Sequence, residues 1–217
     1  TLAFDHPTVA ALGEVLAREA LSGLIAAEAA SFPARAPEVS VTAEALREPI
    51  AIIGMGCRFP GGAEDPGSFW RLLRDGVDAI TEVPPDRWDA DAWYHADADV
   101  PGKSYSRFGG FLRDIKAFDA EFFRISPREA AGMDPQQRLT LEVSWEALES
   151  AGLTQERLAG SRTGVFMGAL GSEYHRLRVE RGEPRQIDAY YGTGAIGSAI
   201  SGRVAHFLGV HGPTMTV

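Results

Sequence analysis

One signature constrains the fold more than any other: a short apolar run that stops on glycine. Ile50-Ala51-Ile52-Ile53-Gly54-Met55-Gly56 shows it first, and Thr163-Gly164-Val165-Phe166-Met167-Gly168 repeats it. The first, short and apolar and closed by turn residues, reads as a strand buried on both faces of a layered sheet, and the second as another glycine-ended strand. Amphipathic segments separate them. Asp65-Pro66 opens a short helix carrying Phe69, Trp70, Leu72 and Leu73, which Gly76 closes. Asp134-Pro135 opens the strongest helix, Gln136 to Ala151. Leu139, Leu141, Val143, Trp145, Ala147 and Leu148 cover nearly all its faces, so it is expected to be buried. A third helix runs from about Gly197 to Leu208, with Ile200, Val204, Phe207 and Leu208 inward and Gly209 at its end. Thr214-Met215-Thr216-Val217 reads as another strand. The order strand–helix–helix–strand–helix–strand is that of an α/β domain.

The first segment has a different character. Val9, Leu12, Leu16 and Ala20 form one apolar stripe behind Pro7, and Glu14 pairs with Arg18 at i,i+4. Residues 1–22 therefore read as a lone amphipathic helix, with no neighbour in sequence to cover its stripe. Residues 23–47 are rich in Ala and Glu, carry Pro33 and Pro37, and read as an interdomain linker. Residues 77–133 form a long irregular stretch with Pro84-Pro85, Trp88, Trp93 and Gly109-Gly110. A loop of that length in a compact domain is functional or an interface element.

Composition narrows the classes of function. The chain has 217 residues, 45% of them hydrophobic, enough for a core. Its formal charge is −9, from 21 Lys and Arg against 30 Asp and Glu, and it has no basic run. That argues against nucleic acid or an anionic membrane as partner. No apolar stretch is long enough to span a bilayer, and the start has no basic n-region of a signal peptide. Cys57 is the single cysteine, which excludes an internal disulfide framework and fits a reducing cytoplasm.

No complete catalytic constellation emerges from spacing. Gly54-Met55-Gly56 follows a strand, but Phe59 stands where a dinucleotide fingerprint needs its third glycine, and no helix follows. Cys57 has no histidine near it in sequence to activate it and reads as a small buried thiol. Asp86, Asp89, Asp91, Asp97 and Asp99 cluster, but Pro101 and Phe108 occupy positions where a calcium loop needs ligands; a solvated acidic loop is expected. The five histidines make no metal-binding pair at helical spacing, and no nucleophile elbow is present. Ser198 and Ser201 sit among small residues that allow close helix packing.

The residues themselves carry a resemblance. PIAIIGMGCRFPGG, Pro49 to Gly62, resembles the opening strand of the β-ketoacyl synthase (ketosynthase) domain of modular type I polyketide synthases. Three further stretches are similar to that family in the same order: KSYSRFGGFL from Lys103, ISPREAAGMDPQQRLTLEVSWEALESAG from Ile125, and RTGVFMG from Arg162. The closing stretch from Gly202 to Val217 matches as well, so the resemblance covers 48–217. FDHPT and the helix after it resemble the last helix of the acyl carrier protein domain that precedes such a ketosynthase.

The resemblance implies the N-terminal half of a thiolase-like five-layer α/β fold, preceded by the lone helix and the linker, in a homodimer. It implies carrier protein domains and the remaining synthase domains as partners, with phosphopantetheine on the upstream carrier and no cofactor or metal on this chain. The parent would extend an acyl chain by decarboxylative Claisen condensation with a carrier-bound malonyl-type unit. The family's nucleophilic Cys, two His and a Lys are expected beyond Val217, so no catalytic residue is assigned here and the chain alone is expected to be inactive. Met167, Leu170 and Gly171 are the pocket candidates, because the matching family segment lies near the acyl pocket at the dimer interface. Ala195 departs from the Asn common in extending ketosynthases, which bears on subtype. The alternative is a non-catalytic tether or docking module between carrier and ketosynthase.

Overall fold

A computed structural model describes residues 49–181 and 187–217. The expected helix at 1–22 and linker at 23–47 lie outside the described residues. The chain divides into two compact units, Thr1–Ile50 and Ala51–Val217, and every element below belongs to the second.

Helices α1 (Pro66–Arg74), α4 (Pro135–Ser150) and α8 (Ser198–Leu208) form as their termini dictate. In α1 the Asp65 carboxylate accepts from Ser68 N at 2.9 Å and Ser68 Oγ accepts from Asp65 N at 3.1 Å, a reciprocal capping box. Asp134 accepts from Gln136 N at 2.7 Å to start α4. Gly209, at φ 66°, ends α8. The shorter helices are α2 (Ala90–Trp93), α3 (Pro127–Gly132), α5 (Gln155–Leu158), α6 (Tyr174–Arg181) and α7 (Ala189–Ala195).

Two small sheets are present. Strands β3 (Val165–Met167) and β4 (Thr214–Thr216) pair in parallel, with Met167 opposite Thr216. Strands β1 (Ile80–Glu82) and β2 (Phe108–Gly110) pair antiparallel within the stretch expected to be irregular. The periodicity missed this pair because each strand has three residues and β2 is mostly glycine. The acidic residues nearby are engaged: Asp86 binds Lys116 at 2.8 Å, Asp91 binds Arg107 at 3.0 Å, and Asp89 caps α2.

The core lies where α4, α8, β3 and β4 meet. Met133, Leu141, Val165, Val204 and Leu208 are buried there. Phe122, Phe123, Trp145 and Phe207 close one side, with ring centroids 4.9 to 5.8 Å apart. Two expectations need correction. The run Ile50–Gly56 forms no strand, and Ile52 and Ile53 are 82% and 65% exposed. At Gly54 and Gly56 its backbone lies on α4 instead; a Cβ at Gly54 would strike the Ala147 carbonyl. No described strand bonds to the run, so nothing buries its second face. Helix α4 is likewise half-buried, with only Gln137 and Leu141 fully covered. Its neighbours include α8, the glycine run and Phe122, and its remaining faces are partly open.

Arg58 fastens the glycine run to α4. It donates to Glu146 through both terminal nitrogens, and Nη1 also reaches the Glu64 carbonyl at 2.6 Å. Burial holds the neighbouring Glu142 carboxyl above the usual range, against the lowering effects of the Asp119 amide and Arg58. A carboxylate harder to ionise in the fold than in the unfolded chain costs stability as pH rises. Its contribution is therefore most favourable below the ordinary value of 4.5 and falls as pH rises through the raised one. Glu142→Gln is expected to flatten the pH dependence of stability above pH 4.5. Urea melts at pH 4.5, 5.5 and 7 check this; an unchanged slope contradicts it.

Two backbone positions predict opposite signs. Arg124 holds φ 57°, left-handed for a side-chain-bearing residue. Arg124→Gly is expected to gain about 0.5–1 kcal/mol. A Cβ at Gly194 would be driven into the Gly132 carbonyl. Gly194→Ala is therefore expected to cost about 2 kcal/mol or more. Denaturant midpoints of the two variants measure both.

Candidate functional site

Parallel strands present their carboxyl ends on one edge, and ligands of α/β sheets bind at such edges. Here that edge is built by the ends of β3 and β4. The ladder runs past both strands: Val217 N donates to Met167 O at 2.9 Å, and Ala169 N donates to Val217 O at 2.8 Å. A second anchor follows. Ser172 Oγ donates to Asp134 Oδ2, and Tyr174 Oη donates to the Ala131 carbonyl at 3.1 Å. Leu170 and Gly171 bridge these anchors as an exposed lip after β3.

The three pocket candidates are placed differently. Met167 packs against the core and lines an apolar cavity of about 360 Å³, shared with Ile53, Leu148, Val204 and Leu208. Leu170 is 87% exposed. Gly171 is exposed, with open space where a Cβ would stand. Leu170 and Gly171 are neighbours in the exposed lip, and the structure does not bring them into the cavity that Met167 lines. Phe166 and Met215, paired in register, are exposed on the other face of the sheet.

Behind the edge lies a buried polar junction. Gln137 is 1% exposed, one turn before Leu141 on α4. Its Nε2 donates to the Thr193 carbonyl at 3.0 Å and the Ile196 carbonyl at 3.4 Å. Its Oε1 accepts from Arg203 Nε at 2.9 Å, and Arg203 Nη1 binds Glu129 at 2.6 Å. Asp134 N donates to the Gly194 carbonyl at 2.9 Å. One side chain thus joins α4, α7 and α8, and Arg203 extends the junction to α3. Ser201, also 1% exposed, pairs through Oγ with Thr216 Oγ1 at 2.8 Å, which pins β4 to α8.

Apolar periodicity misses these groups because it counts only hydrophobic side chains. Gln137 shares a helix face with Leu141, and Ser201 shares one with Val204, Ala205 and Leu208. A polar residue on an apolar stripe was the available signal, since a buried polar group must find partners. Cys57 is half-buried, away from this edge in sequence. Burial pushes its thiol up and Asp65 adds to the effect, outweighing Arg58, so the thiolate is disfavoured. Among the described residues no group of His, Cys, Asp and Glu could hold a metal ion, and no helix is long and apolar enough to cross a membrane.

Comparisons with known proteins agree with this architecture. The family pattern for "Beta-ketoacyl synthase, N-terminal domain" matches residues 47–217. The chain is 53% identical over 170 residues to a phenolphthiocerol/phthiocerol polyketide synthase of Mycobacterium tuberculosis, covering 78% of this chain and 9% of that one. It is 49% identical over 218 residues to polyketide synthase GfsA of Streptomyces halstedii, covering 100% of this chain and 3% of that one. The chain therefore spans under a tenth of these relatives' length. Among solved structures, an oxazolomycin ketosynthase domain from Streptomyces albus superposes with TM-score 0.69 at 38% identity, over 78% of this chain and 29% of that one. The ketosynthase from module 6 of the bacillaene synthase of Bacillus subtilis gives 0.66 at 33% identity, over 77% of this chain and 26% of that one. The parallel β3–β4 pair, the α4–α8 core and these matches together place the chain in the β-ketoacyl synthase family, as the N-terminal half of a thiolase-like ketosynthase domain of the polyketide synthases.

Proposed function

We propose that this chain is the front part of a ketosynthase that extends a thioester-bound acyl chain by decarboxylative Claisen condensation. In this reading the turn after β4 carries the nucleophilic Cys. The acyl group moves from a carrier's phosphopantetheine thiol to that Cys. A carrier-bound malonyl-type unit then loses CO₂, its enolate carbon attacks the acyl carbonyl, and the Cys thiolate leaves. Amide donors and imidazoles from the rest of the domain stabilise the developing charge. Carrier thioesters are substrates here, not resident cofactors.

What supports this reading is the ketosynthase family match over residues 47–217, together with the parallel β3–β4 edge and the Ser201–Thr216 hydroxyl pair behind it. Met167, Leu170 and Gly171 then belong to the wall of the acyl pocket, completed by the rest of the domain and a second copy in a homodimer. Residues 1–22 and 23–47 are read as the last helix of an upstream carrier domain and its linker to the ketosynthase. The alignment of the Streptomyces halstedii relative over the whole chain supports their belonging to one continuous synthase.

In this reading Cys57 takes no part; burial pushes its thiol up, which keeps the thiolate scarce. In the ketosynthase that contains this chain, an acyl thioester substrate is expected to label one Cys, just after Val217. Cys57→Ser is expected to label at the parent's rate. Peptide mapping by mass spectrometry reads both; an acyl group found on Cys57 overturns the assignment.

A further inference from the structure

We infer that Ser201 and Thr216 are positioning residues that set the geometry and ionisation of the nucleophile, which rests on the reading that the nucleophile follows β4. The end of β4 is held from two directions. Its backbone is laddered to β3 through Val217. Its one half-buried side chain, Thr216, faces the first turn of α8.

There the hydroxyls form a complete relay. Thr216 Oγ1 donates to Ser201 Oγ at 2.8 Å and accepts from Ser201 N at 3.3 Å. Ser201 Oγ donates onward to the Ser198 carbonyl at 3.5 Å. Gly197, the residue before α8, has no side chain to cap it. The strand hydroxyl thus reaches the start of the helix that lacks a cap of its own. Gln137 fixes the same helix start from the other side, through the Ile196 carbonyl.

Strand end and helix start are therefore tied directly to each other. Any group placed within a few residues of Thr216 inherits that rigidity. A reacting sulfur displaced by about 1 Å can lose two orders of magnitude in rate. Thr216→Val keeps the shape, removes the relay and leaves the Ser201 amide without its strand acceptor. Thr216→Ser keeps the hydroxyl.

The test uses the whole ketosynthase that contains this chain, with an acyl-N-acetylcysteamine thioester as acyl donor and iodoacetamide as thiolate probe. Thr216→Val is expected to slow single-turnover acylation about 10- to 100-fold with little change in donor KM. In the unacylated enzyme it is also expected to move the pH midpoint of alkylation of the Cys that accepts the acyl group. Thr216→Ser is expected to restore both. The double variant Ser201→Ala/Thr216→Val removes both hydroxyls together and is expected to melt closer to the parent than Thr216→Val does, yet to acylate as slowly. A folded Thr216→Val or double variant with parental acylation rate and alkylation midpoint overturns the positioning role. Mapping the acyl group on the parent separates this from the broader reading: label on a Cys away from the end of β4 refutes that reading and this inference with it.

Discussion

The buried amide of Gln137 is the interaction on which the rest of the domain depends. Its donors and acceptor are spent on partners from α7, the start of α8, and Arg203. A buried amide left unpaired costs far more than a paired one gains, so this side chain specifies one arrangement of its neighbours. Arg203 carries the constraint to Glu129 on α3, where a paired charge sits at the rim of the core. The apolar contacts of Met133, Leu141 and Leu208 supply non-directional cohesion around it. Direction comes from the polar junction, which ties α8 to α4 and α7.

That junction connects the fold to the proposed chemistry. Helix α8 holds β4 through the Ser201–Thr216 hydroxyls, and β4 holds the lip segment through its ladder to Ala169. Asp134 closes the circuit by capping α4 and accepting from Ser172 on the far side of the lip. In the proposed reading, condensing chemistry on a thioester needs a fixed nucleophile and fixed donors rather than a mobile loop. The arrangement provides a fixed edge.

Much of this frame was legible in the sequence, for identifiable reasons. Asp65-Pro66, Asp134-Pro135 and Gly209 announced helix ends because caps and prolines act locally. The runs at 163–168 and 214–217 announced β3 and β4 because they are apolar and bounded. Burial was less legible, since it depends on partners distant in sequence. Ile50–Gly56 has the composition of a buried strand, yet lies open on one face because no described strand covers it. The β1–β2 pair escaped because three-residue strands have no period to detect. Among the site groups, the ordered motifs identified the family, while the Gln137 and Ser201 partnerships are tertiary and left only a polar residue on an apolar stripe as their trace.

Amide hydrogen exchange on the ketosynthase carrying Gln137→Leu tests the central claim most directly. If the buried amide joins these elements, protection falls together in α7, α8 and β4, by about 2 kcal/mol, while the β1–β2 pair keeps its own. Loss confined to α4, or spread evenly over every element, contradicts the account.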